Sequence, residues 1–193
     1  MKLHSASFSD GAPIPAECAF CAIDPKTHVT LSKNLNPQLS WLDVPSRGDD
    51  VNKEGRLVPT SLARIDFFHW VIVDLPASMV GVQEGEYSSS VVSRGKPGPA
   101  APHGARHGIN DYTGWFADDK DMAGDYYGYD GPCPPWNDEI PHRYTFTVFA
   151  PDVARLPLEG RFDGHAARKA IAGHVLAQAS ITGRYTLNPS VKV

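Results

Sequence analysis

The chain has no uninterrupted apolar run near the roughly 20 residues that cross a bilayer as a helix, so no integral membrane association is expected. Its start, Met1-Lys2-Leu3-His4-Ser5-Ala6-Ser7-Phe8, lacks the apolar core of a signal peptide. Basic residues are too few for a nucleic-acid binder: 18 Lys and Arg stand against 22 Asp and Glu, a net charge of −4. Cysteine is scarce, three in 193 residues. An odd set of that size suggests no disulfide framework and fits a reducing cytoplasm. No Gly-x-Ser-x-Gly nucleophile motif occurs, so no catalytic residue is assigned and no enzyme is expected. Arg94-Gly95-Lys96-Pro97-Gly98-Pro99 lacks phosphate-loop spacing, and its prolines remove the amides that would cradle phosphate. His103, His107 and Asp111 have no helix to set two imidazoles on one face, so neither metal nor cofactor is expected.

Turn formers, by contrast, are plentiful. Seventeen Gly and 17 Pro in a chain that is not low-complexity point to many turns and a mostly β protein. A hydrophobic content of 41% and a charged content of 21% suit one globular domain over 1–193. Ala19–Ile23 and His28–Leu31 read as strands. Phe67-Phe68-His69-Trp70-Val71-Ile72-Val73-Asp74-Leu75 is the strongest strand, β-branched and aromatic and apolar on both faces except at His69. Residues 81–125 read as long surface loops. Asp163 caps a helix whose spacing runs through Ala167, Ala170, Ile171, His174, Val175 and Gln178, broken by Thr182-Gly183 before a terminal strand Arg184–Leu187.

The clearest candidate site is Tyr129-Asp130-Gly131-Pro132-Cys133-Pro134-Pro135, followed by Pro141-His142-Arg143-Tyr144 and an alternating strand through Phe149. Proline fixes φ and removes a donor, so this loop is stiff. An imidazole and a guanidinium beside it suit a carboxylate or phosphate. Arg143 is also open to a purely structural ion pair with an Asp, and His69 to being a satisfied core residue. Cys18-Ala19-Phe20-Cys21 reads as small apolar strand residues rather than half a zinc site, and Cys133 as loop wall rather than nucleophile.

Together these motifs resemble the phosphatidylethanolamine-binding protein family, in its bacterial YbhB/YbcL-like branch. The matching pieces are Asn36-Pro37-Gln38-Leu39-Ser40-Trp41, Asp66 through Pro76, Gly108-Ile109-Asn110-Asp111-Tyr112, and the GPCPP and HRY blocks. The resemblance implies a β-sandwich, a large antiparallel sheet on a smaller one, with a helix near the C-terminus. It implies a non-enzymatic pocket for a small anionic or phosphorylated ligand, such as a phospholipid head group. Its residues would be His69, Gly131, Pro132, Pro135, His142, Tyr144 and Asp43, with a cis peptide at Gly131-Pro132. The alternative it offers is a protein-interaction or inhibitor module acting through the 81–125 loops. Acid–base chemistry by His69 and His142 has the least support.

One departure from the family pattern stands out. Trp41 runs through Leu42 into Asp43-Val44-Pro45, the tail of an Asp-Pro-Asp-x-Pro motif whose first Asp and preceding strand have no counterpart here. Each fully buried aliphatic lost with such a strand is worth roughly 1.5–3 kcal/mol, so the whole strand rivals a domain's net stability. Three explanations are compatible with the sequence: a natural deletion repaired by rearrangement or a homodimer, a longer natural chain, or Ser61–Ile65 sliding into the gap. A second departure is Pro151 between Ala150 and Asp152, which should end its strand one residue early.

Overall fold

The computed structural model describes residues 2–41 and 65–193. Asp43 and Ser61–Arg64 lie outside them. Short strands dominate the first half: β1 (Leu3–His4), β2 (Cys21–Asp24), β3 (His28–Leu31), β4 (Leu39–Trp41), β5 (Ile72–Val73), β6 (Gly81–Val82) and β7 (Arg106–His107). The one-turn helix α1 (Tyr112–Trp115) follows, then β8 (His142–Pro151), α2 (Gly164–Ile171) and β9 (Val175–Tyr185). The strands pair in the order β1-β4-β6, β2-β3, β5-β7 and β8-β9, every pair antiparallel. The architecture is mostly β, with a helix near the C-terminus, as expected.

The alternation from Tyr144 to Phe149 forms part of β8, whose register on β9 runs from His142↔Tyr185 to Pro151↔Val175. Pro151 does not shorten the strand; it shifts the register between Ala150 and Pro151, a bulge that absorbs a residue unable to donate. α2 begins where Asp163 accepts the Ala166 N–H at 2.8 Å. It ends sooner than the helical spacing predicts, because Gly173 takes φ +85° and Val175–Gln178 turn into β9. Thr182-Gly183 therefore lies inside a strand rather than breaking a helix. At Gly183 a Cβ would fall 2.3 Å from Ile14, so only glycine allows this close approach.

The Phe67–Leu75 strand is corrected to Ile72–Val73. The rest of that segment is bonded to loops: Phe68 N–H donates to the Asp111 carboxylate, and the Phe68, His69 and Val71 carbonyls accept from the Asp111, Asp130 and Gly108 amides. Asp74 then takes φ +59° and leaves strand geometry. Two apolar clusters flank β5. The larger holds Phe8, Phe20, Leu39, Val82, Tyr126 and Ile181. The smaller holds Val71, Val73, Leu156, Leu158, Phe162 and Ile171, under α2.

The cysteine expectation is overturned: Cys21 and Cys133 form a disulfide across 112 residues. β2 brings Cys21 beneath the proline loop, where the Phe20 and Cys21 amides both donate to the Pro132 carbonyl, at 2.9 and 3.1 Å. Cys18 stays free and buried; burial, with the Glu84 charge adding to it, pushes its thiol up to about 12, so it remains protonated. Among the described residues the cis peptide is Gly98-Pro99, not Gly131-Pro132.

Candidate functional site

The proline loop is held from below by a buried polar centre. Asp130 is fully buried and accepts from Asn34 Nδ2 at 2.7 Å, Asn110 Nδ2 at 2.8 Å and Lys96 Nζ at 2.9 Å. Burial raises the Asp130 carboxyl pKa and lowers that of the Lys96 ammonium, and each opposes the other's shift. The same centre fixes the next residue: Gly131 N–H donates to Asn34 Oδ1 and its carbonyl accepts from the Tyr112 hydroxyl, each at 2.8 Å. Gly131 is required here because a Cβ would sit 2.2 Å from the Cys18 carbonyl oxygen.

Above this support lies His69. Its Nδ1 is 2.7 Å from the Asp130 carbonyl oxygen. A carbonyl only accepts, so Nδ1 carries the proton. Its ring is enclosed by Phe67, Tyr144 and Tyr112, with centroids at 4.8, 5.1 and 5.5 Å. Burial pulls its pKa from 6.5 down to about 4, so the ring is neutral at pH 7. Its Nε2 is buried with no hydrogen-bond partner, a lone pair without a donor.

A cavity of about 1030 Å³ opens beside it, bordered by His69, Pro132 and Tyr144 together with Tyr129 and Phe146. The remaining expected site residues stand elsewhere. Gly131 is engaged with the core below, and neither Pro135 nor His142 borders the cavity. His142 Nε2 lies 2.6 Å from Asp138 Oδ2, both side chains buried, and its ring stacks 6.4 Å from Tyr144. Arg143 is exposed, on the opposite side of β8 from its buried neighbours, so the expected imidazole–guanidinium pair does not form.

Sequence reasoning missed Asp130, Asn34, Asn110 and Lys96 as a unit. Asp130 and Asn110 both sat in quoted motifs. Lys96 sat in a loop dismissed as a failed phosphate loop, and its role as counter-ion to a residue 34 positions on leaves no local signal. Trp70 Nε1, Tyr87 Oη, Ser88 Oγ and His107 Nε2 are further buried polar atoms without partners. Burial and the Lys96 charge pull His107 down to about 4 as well.

The fold is mostly β, and its cavity is bordered by His69, Pro132 and Tyr144 beside the buried Asp130 centre. The family model described as phosphatidylethanolamine-binding protein matches residues 4–186, and the chain belongs to that family. Its members are generally non-catalytic binding proteins, which supports a binding role here in general terms. A UPF0098 protein of Aquifex aeolicus is 30% identical over 186 residues, 96% of this chain and 88% of its own. The UPF0098 protein YbhB of Escherichia coli is 29% identical over 96% of this chain and all of its own length. The crystal structure of Escherichia coli YbcL superposes with a TM-score of 0.65 at 22% identity, covering 96% of this chain and 97% of that one, and so supports the fold. No helix among the described residues is long and apolar enough to cross a membrane.

Proposed function

We propose that this chain is a non-enzymatic binding protein whose ligand presents a phosphoryl group, of the phospholipid head-group kind, to His69. The observation that carries this reading is the lone pair of His69 Nε2, buried without a donor beside an open cavity. A buried acceptor left unmade costs about 1–3 kcal/mol, and a ligand that donates there recovers it. A phosphate monoester, with a second pKa near 6, can bring that proton as its monoanion. Pro132, whose ring offers no donor, and Tyr144 flank the same opening and limit the ligand's size and orientation. His142 acts through Tyr144, on which it stacks, and Gly131 and Pro135 act by shaping the loop.

Titration calorimetry with inorganic phosphate and with phosphoethanolamine tests the reading. Binding by the wild type that falls at least tenfold in His69→Ala is the expected result. No binding, or binding that the substitution leaves unchanged, would sink it. With Cys21 and Cys133 bonded, cysteine usage lends no support to a reducing compartment, since disulfides persist mainly where thiols are oxidised. A second reading, a protein-interaction module, is drawn here not from the 81–125 loops but from β8, which among the described residues has only β9 as a strand neighbour.

A further inference from the structure

The cavity extends far past His69. It is bordered by two unbroken runs, Phe67 to Ala77 on one side and Tyr144 to Ala154 on the other. Side chains of a strand alternate between faces, so a cavity touching only a face would meet every second residue. One that meets every residue runs along the backbone edge. Among the described residues β8 has only β9 as a strand neighbour and β5, Ile72–Val73, has only β7, so the edges of both strands away from those partners carry no strand. Val71, Val73, Val148, Leu156 and Ile171 are on its lining, with Asp74, Asp152 and Arg168 as its charged members.

We propose that this cavity is a strand-wide slot that takes an extended peptide from a partner polypeptide, completing the order β9-β8-peptide-β5-β7 by strand addition. The proposal stands on the slot and not on the phosphoryl reading. A strand buried on both faces must be a near-continuous apolar run, and 11 bordering residues accommodate roughly 5–8 residues of one. Residues 42–64 of this chain offer no apolar run longer than two, at Leu57-Val58 and Leu62-Ala63, which points to a strand supplied in trans. The partner's chemistry is therefore an exposed or C-terminal segment rich in Val, Ile and Phe, uncharged across its centre.

The test uses the full-length protein and an eight-residue Val/Ile peptide with lysines at its ends. Its control is the same peptide N-methylated at alternate residues, which cannot donate along one edge. Binding is followed by fluorescence anisotropy, and amide exchange is followed at Thr145, Thr147 and Phe149, whose backbone groups face away from β9. The expected result is saturable binding, at least tenfold weaker for the methylated peptide, with new protection of β8 amides that do not bond β9. Equal binding of both peptides would show that apolar contact alone is involved and would overturn strand addition. Absence of binding at millimolar peptide would overturn it whatever the exchange pattern. A free protein that is already dimeric with these amides protected would overturn it in favour of a second copy. Phosphate titration of the same sample keeps these failures separate from failure of the His69 reading.

Discussion

Replacing both Cys21 and Cys133 with Ser should lower stability without moving the wall of the pocket. The bond spans 112 residues, and the chain-entropy relation for a loop of that size gives about 4.8 kcal/mol at 25 °C. The structure assigns that cost to the unfolded state. In the folded state the loop keeps two amide bonds to the Pro132 carbonyl, the Gly131–Asn34 bond and the Tyr112 hydroxyl on Gly131. The double substitution avoids leaving a thiol that could pair with Cys18. Urea unfolding followed by tryptophan fluorescence reads the loss. With a slope of roughly 2 kcal/mol per molar, the midpoint should fall by about 2 M. A fall under about 0.3 M would refute the entropic argument. A tenfold loss of phosphate affinity in the variant would refute the claim that hydrogen bonds alone hold the wall.

Asp130→Asn leaves the Lys96 ammonium buried without its counter-ion and should cost about 3–5 kcal/mol, read as a lowered thermal midpoint. Gly131→Ala should cost about 1–3 kcal/mol, because its new methyl meets the Cys18 backbone and cannot be accommodated by a side-chain rotation. His69 should make stability fall as pH drops from 6.5 towards 4. The unfolded imidazole takes its proton first and the folded one resists until about 4, so protons favour the unfolded chain across that window. At 1.36 kcal/mol per unit the full effect is at most about 3 kcal/mol, and His69→Gln should flatten the stability profile by that amount in paired urea titrations.

The parts of the fold visible in the sequence are those set by local rules. The alternation at Tyr144–Phe149 gave β8, and Asp163 at the start of a helical spacing gave the cap of α2. The end of α2 was hidden because Val, Leu, Ala and Gln at positions 175–178 fit either period, and pairing with β8 decides between them. Phe67–Leu75 looked like a strand because it is apolar on both faces; which backbone groups face it depends on residues 108, 111 and 130, far along the chain. The disulfide was hidden for a like reason, since three cysteines allow three pairings and only the fold brings residue 21 to residue 133. His69, Pro132 and Tyr144 were legible as motif residues. The centre that orients them through Asp130 joins residues 34, 96, 110 and 130, a contact set no spacing rule contains.

The central claim is that His69 Nε2 faces the ligand as an acceptor, so the complex must hold one proton that free neutral imidazole and phosphate dianion lack. Calorimetric titration of phosphoethanolamine at pH 7.5, in two buffers of different ionisation enthalpy, measures that proton directly. The account predicts net uptake approaching one proton per ligand, tighter binding at pH 5.5 than at 7.5, and loss of both in His69→Ala. Binding with no proton uptake, and with the same affinity at the two pH values, would contradict it.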